Sequence, residues 1–125
     1  MNWKTDPNLE TPPSRQIVAR ALDAIAGGDL ICGDALPSVR KMAAEALVNH
    51  NTAARAYREL EVLGVVQAAT GLGVFVTKQG PSIARKKRKE QTLIAVERAL
   101  EEALRAGHDI EKLQKLMARL MKRTG

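Results

Sequence analysis

"VNHNTAARAYRELEVLGVVQAATGLGVFV", residues 48–76, changes its hydrophobic period once, and that change decides the fold. In its first half Ala53, Ala56, Tyr57 and Leu60 recur at three- and four-residue spacing, with Leu63 near their edge. At about 100° per residue they share one side of a helix, while Asn51, Arg55 and Arg58 lie opposite. Asn49 is the best cap for that helix, because its side chain can accept a free first-turn N–H. Gly64 closes it. Beyond Gly64, "VVQAA" and "VFVT" are β-favouring runs separated by "TGLG", which predicts a hairpin with glycines at its tip.

Upstream, two more helices are expected. Ser38 is a good N-cap for a helix from Val39 to about Leu47. Val39, Met42, Ala43 and Ala46 form its inner side, and Arg40 and Lys41 lie towards its outer side. "LICGDALPS" carries too many breakers to be helical, and Leu36, before a proline, is expected in a very short strand. Ser14 is read as the cap of a first helix reaching about Ala26, with Ile17, Val18, Ala21, Leu22 and Ile25 at helical spacing. Gly27 or Gly28 can take a left-handed conformation and end it. Residues 1–13 read as an irregular arm with three prolines. Three helices followed by a hairpin is the order of a winged helix-turn-helix.

Downstream the chain is helical again. Ser82 is read as the cap of a long helix to about Ala106, with Ile83, Leu93, Val96, Leu100 and Leu104 as apolar positions. "AGHD" breaks it, and Asp109 can cap a final helix. There Ile110, Leu113, Leu116, Met117, Leu120 and Met121 make a dense apolar stripe. Two amphipathic helices cannot bury such stripes alone, so they need the first domain or a second copy of the chain. The expected architecture is mainly α with a small β-hairpin. It comprises a winged helix-turn-helix at residues 1–79 and a two-helix dimerisation tail at 80–125.

Composition narrows the function. The chain has 125 residues, 45% of them hydrophobic, and its three aromatics are Trp3, Tyr57 and Phe75, so the core must be mostly aliphatic. Cys32 is alone, which excludes an intramolecular disulfide, and it reads as a buried inert thiol. His50 and His108 sit in different elements without a ligand cluster, so no metal is expected. No acid–base pair, nucleophile arrangement or phosphate-binding glycine loop points to an enzyme or a cofactor. No apolar run approaches the roughly 20 residues needed to span a membrane, and the N-terminus lacks a signal-peptide core. A soluble, cytoplasmic protein is expected. The formal net charge is +6, but residues 1–79 balance eight Lys/Arg against eight Asp/Glu. The excess lies in residues 80–125, chiefly in "RKKRK", Arg85 to Lys89.

Residues 12–77 carry "GDALPSVRKMA", "VNHNTAARAYRELE", "LGVV" and "GLGVFV" in one order and spacing. Together they resemble the DNA-binding domain of GntR-family bacterial transcription regulators, and the short tail resembles the small YtrA-type branch. The resemblance implies a regulator of double-stranded DNA, often of ABC-transporter genes, that dimerises through its last two helices. The third helix then enters the major groove, where Asn can pair with adenine and Arg with guanine edges. The implied readers are Asn49, His50, Asn51, Thr52 and Arg55, with Arg58 on the same strip. Arg40 is placed against phosphate or a guanine edge, Lys41 adds general field, and Ser38 can donate to phosphate besides capping. At the wing, Thr70 can donate a hydrogen bond, and Gly71 and Gly73 let the backbone approach phosphate. Relatives often carry arginine near this tip, where this chain has Ala68, Ala69, Thr70 and Leu72. Arg85–Lys89 is either a flanking phosphate contact or a solvated helix start. A homodimeric repressor on an inverted-repeat operator is the expected function. A winged-helix protein-interaction module is the alternative, and a small-molecule effector stays open.

Overall fold

A computed structural model describes residues 1–124. The elements are α1 (Pro13–Ala26), α2 (Val39–Ala46), α3 (His50–Leu63), β1 (Val66–Ala69), β2 (Gly73–Val76), α4 (Gly80–Arg105) and α5 (Ile110–Thr124). They form two compact units, Met1–Lys89 and a second that begins at Glu90. The division falls inside α4, whereas the sequence reading divides the chain at 79/80.

In the first unit α3 is the central element, packed against α1, α2 and β1. Its buried residues are Ala53, Ala56, Tyr57 and Leu60, the side that the helical spacing selects. Beneath it lie Ile17, Leu22, Ile25, Met42, Val65 and Val66, all fully buried, so the core is aliphatic as the composition requires. Small residues let the helices approach closely: Ala21, Ala46, Ala53 and Ala56 are each 0% exposed.

The helix ends follow local chemistry, with two corrections. Ser38 Oγ accepts from the Lys41 N–H and Asn49 Oδ1 from the Thr52 N–H, so α2 and α3 start on the expected caps. Gly64 closes α3 at φ 86°. Ser14, however, does not cap α1. Pro13 occupies the first turn, where its fixed φ suits a helix start, and Ser14 is buried within the helix. Ser82 likewise lies inside α4, which begins two residues earlier at Gly80. A Cβ at Gly80 would stand 2.7 Å from the Val65 carbonyl oxygen, so only glycine admits this approach of α4 to the hairpin base. After α1, Gly27 keeps φ −86° and Gly28 takes the left-handed turn at φ 88°.

β1 and β2 pair antiparallel with Val66 opposite Val76 and Ala69 opposite Gly73. The expected strand at Leu36 is one residue earlier: Ala35 bridges Phe75, and the Leu36 N–H donates to the Val74 carbonyl at 2.8 Å. The proline-rich arm has no regular structure but is tied down. Gln16 Nε2 donates to the carbonyls of Asp6 and Thr11, and its Oε1 accepts the Asp6 N–H, all at 2.8 Å. Both the N–H and the hydroxyl of Thr5 donate to the Ala46 carbonyl, and Trp3 is only 4% exposed. Cys32, expected inside, is exposed on the loop after α1.

In the second unit none of the described residues is buried. Leu93, Val96, Leu104, Ile110, Leu116, Met117, Leu120 and Met121 are exposed, and Leu100 and Leu113 are half-buried. Asp109 Oδ1 accepts the Glu111 N–H at the start of α5, and Gly107, at φ 89°, turns the chain between the two helices.

Candidate nucleic-acid interface

The candidate surface is built from α2, the three-residue turn Leu47–Asn49 and α3. Leu47 makes the turn possible. It ends α2 in the left-handed conformation (φ 60°, ψ 47°), and its N–H donates to the Ala43 carbonyl. The Val48 N–H donates to the same carbonyl at 3.0 Å. A second tie fixes the two helices: the Tyr57 hydroxyl donates to the Pro37 carbonyl, just ahead of the Ser38 cap. Burial, with the Glu45 carboxylate adding to it, pushes the Tyr57 hydroxyl well above the ordinary tyrosine pKa. The group is therefore a neutral donor at every physiological pH. The sequence placed Tyr57 inside without revealing this partner, because the contact depends on how α2 meets α3.

On the outward side Arg40, Lys41, Asn49, His50, Asn51, Arg55 and Arg58 are all exposed, and Thr52 is half-buried. Their engagement differs. Asn49 Oδ1 accepts both the N–H and the hydroxyl of Thr52, at 2.8 and 3.1 Å, so its carbonyl oxygen is committed and its NH2 remains to donate. The Asn51 carboxamide has no partner among the described residues, so it can both donate and accept. That is what bidentate pairing with adenine needs. Arg40, Arg55 and Arg58 likewise make no ion pair among the described residues. Ser38 Oγ spends one lone pair on its cap and keeps its proton free to donate.

The hairpin tip is neutral and exposed. Thr70, Gly71, Leu72 and Gly73 are all exposed, Leu72 at 78%, and the two glycines sit at φ 76° and 127°. Glu61 holds the hairpin to α3, its Oε2 accepting the Ala68 N–H at 3.2 Å. Arg85–Lys89 belongs to the opposite end of α3. A Cβ on Gly64 would lie 3.4 Å from Ile83 Cδ1, which seats the first turn of α4 beside the C-terminus of α3. Asn49 stands at the other end of that helix, about 20 Å away along a 14-residue rise.

Among the described residues no three His, Cys, Asp or Glu side chains are grouped to hold a metal ion. None of the described helices is long and apolar enough to cross a membrane.

The chain is similar to known proteins in sequence and fold. The family described as bacterial regulatory proteins, gntR family, matches residues 13–76. The chain is 30% identical over 108 residues to the HTH-type transcriptional repressor YtrA of Bacillus subtilis, covering 86% of this chain and 83% of that protein. A GntR family transcriptional regulator from Listeria monocytogenes superposes with TM-score 0.70 at 27% identity, over 92% of this chain and 98% of that one. YtrA from Sulfolobus acidocaldarius, a GntR-family transcription factor, gives TM-score 0.61 at 28% identity, over 81% of this chain and 99% of that one. The chain belongs to the GntR family of bacterial regulatory proteins, in its YtrA-type branch, and is a DNA-binding transcriptional regulator rather than an enzyme.

Proposed function

We propose that the chain is a homodimeric, cytoplasmic repressor that reads an inverted-repeat operator, with the first unit reading DNA and the second pairing two copies. The observation that carries the reading of DNA is the set of exposed side chains without partners among the described residues on one helix-turn-helix: Arg40 on α2, and Asn51, Arg55 and Arg58 on α3. Asn51 and Arg55 act on base edges, and Arg40 and Lys41 on the backbone. Ser38, Asn49, His50 and Thr52 donate around them, and Thr70, Gly71 and Gly73 approach the backbone from the wing. The dimer is supported by the exposed apolar residues of the second unit. So many aliphatic side chains in water are stabilised by a matching stripe on a second copy, and a two-fold dimer implies two inverted half-sites. Repression is supported by the Bacillus relative, a transcriptional repressor.

The test is selection from random duplex DNA at two salt concentrations, with the mass of the complex measured by sedimentation. Two inverted half-sites and two chains are expected. A single asymmetric half-site bound by one chain would sink the reading. Retention of partner proteins without any DNA selected would favour a protein-interaction module instead.

A further inference from the structure

The turn that presents α3 is held less by burial than by hydrogen bonds. Leu47, Asn49, His50 and Asn51 are exposed, and Val48 and Thr52 are half-buried; Ala53 is the first buried residue of α3. The peptide between Ala46 and Leu47 is gripped at both ends. Its N–H, on Leu47, donates to the Ala43 carbonyl within α2. Its carbonyl, on Ala46, accepts two bonds from the N-terminal arm, from the Thr5 hydroxyl at 2.9 Å and the Thr5 N–H at 3.2 Å. A peptide unit is planar, so holding both ends fixes the plane. That plane bounds the φ of Leu47, which at 60° is a conformation that an L-residue keeps only when its surroundings impose it. The chain leaves α2 through this plane and enters α3 at His50.

Thr5 is itself well placed to impose it. Terminal segments are poorly ordered unless tied down, yet this one is tied on both sides of Thr5, which is 7% exposed. On one side Trp3 is buried in the core, and a terminal nitrogen of Arg20 donates to the Asn2 carbonyl at 2.8 Å. On the other, the buried carboxamide of Gln16 holds Asp6 by both its N–H and its carbonyl. Gln16 and Arg20 belong to α1, and α1 packs on α3. The arm therefore carries a setting from α1 to the last carbonyl of α2. A valine at position 5 would keep the shape and the backbone N–H of threonine and lose only the hydroxyl donor.

We propose that Thr5 is a positioning residue for DNA recognition, which holds the Ala46–Leu47 peptide and so sets how the first turn of α3, with Asn49 to Thr52, meets the bases. Thr5 touches no DNA in this scheme. The inference rests on the reading of α3 as the recognition helix.

The experiment measures Kd at 25 °C for the duplex obtained by selection and for random-sequence duplex. It compares the full-length wild type, Thr5→Val, Thr5→Ala, Thr5→Ser, Asn51→Ala, Arg55→Ala and Thr5→Val combined with Asn51→Ala. Urea midpoints and circular dichroism are recorded on the same proteins. Thr5→Val and Thr5→Ala should stay folded and bind the selected duplex about threefold or more weakly, with random-sequence binding nearly unchanged. Thr5→Ser, which keeps the hydroxyl, should restore selected binding. The loss from Thr5→Val should shrink when Asn51 is already alanine, because a positioning residue acts through the reader it positions. A lowered urea midpoint with wild-type Kd in Thr5→Val and Thr5→Ala would overturn the proposal and leave a purely structural tie. Equal losses on selected and random duplex, full additivity with Asn51→Ala, or unfolding of both variants would overturn it as well. Wild-type binding by Arg55→Ala and Asn51→Ala would instead remove α3 as the recognition helix, and the positioning role with it.

Discussion

Leu47 shows how a single residue carries the motif. It is the non-glycine residue with positive φ among the described residues, and its side chain is 67% exposed. A left-handed conformation costs an L-residue about 1–2 kcal/mol, and this leucine recovers little of that by packing. Leu47→Gly is expected to stabilise the protein by about 0.5–1 kcal/mol after glycine's larger unfolded-state entropy is counted, read as a higher urea midpoint. Tyr57→Phe removes the donor to Pro37 and should destabilise by about 1 kcal/mol. The same comparison has a pH signature. The folded state raises the Tyr57 pKa above its ordinary 10.0, so the stability it confers is intact below pH 10 and is lost as pH rises above it. Between pH 9 and 11 the wild type should lose unfolding free energy faster than Tyr57→Phe, measured by denaturant titration at each pH. For DNA, Arg55→Ala and Arg40→Ala should each weaken operator binding by about 10- to 100-fold. Arg55→Ala should also relax base preference at one position per half-site, whereas Arg40→Ala should act more evenly if its partner is phosphate. Binding selection on each variant separates the two. Replacing His50 by arginine should tighten or retarget binding in the same assay.

At the scale of elements, α3 was almost wholly legible. Its cap, its closing glycine and its two sides follow from a 3.6-residue period with little competition from tertiary context. The hairpin was legible too, because two β-favouring runs flank the glycine-bearing turn TGLG. The start of α4 was misread. Ser82 looks like a cap, but the helix begins at Gly80, where the backbone of Val65 lies too close for any Cβ, and no local propensity encodes that contact. Gly80→Ala should therefore destabilise by roughly 2 kcal/mol or more, well beyond what an alanine gains in a helix, visible as a lowered Tm. The wing carries the other test at this scale. Its tip has no cation, so Leu72→Arg should add a phosphate contact and steepen the dependence of log Kobs on log salt by about 0.9 per half-site. An unchanged slope would mean the tip stays clear of the backbone.

Across the whole molecule, the charge excess and the buried core both lie in the first unit, Met1–Lys89. Residues 1–79 balance their charges, and the five cations Arg85–Lys89 at the end of the first unit supply most of the chain's excess. None of the described residues of the second unit is buried, and under the dimeric reading its apolar stripes find cover in another chain. Leu116→Asp combined with Leu120→Asp should give a folded first unit, a monomer by sedimentation, and operator affinity lower by ~100-fold or more, with single half-site affinity retained. A dimer that persists in that variant would place the pairing surface elsewhere.

The sequence by itself determined the element order, the inner and outer sides of α2 and α3, and the family, because each is written in short-range periodicity and in motifs of fixed spacing. Tertiary structure decided what depends on residues far apart in the chain. Gln16 and Trp3 convert the irregular arm into part of the core, and Ser14 is buried where a cap was expected. Cys32 is turned outward on its loop. Asn49 spends its acceptor on Thr52, leaving Asn51 as the carboxamide able to read both donor and acceptor. Arg88, one cation in a run of five, is drawn to Asp23 across 65 residues of sequence. Periodicity assigns a residue to a side of its own helix, but only the packing of helices on one another brings two such sides within reach of a hydrogen bond.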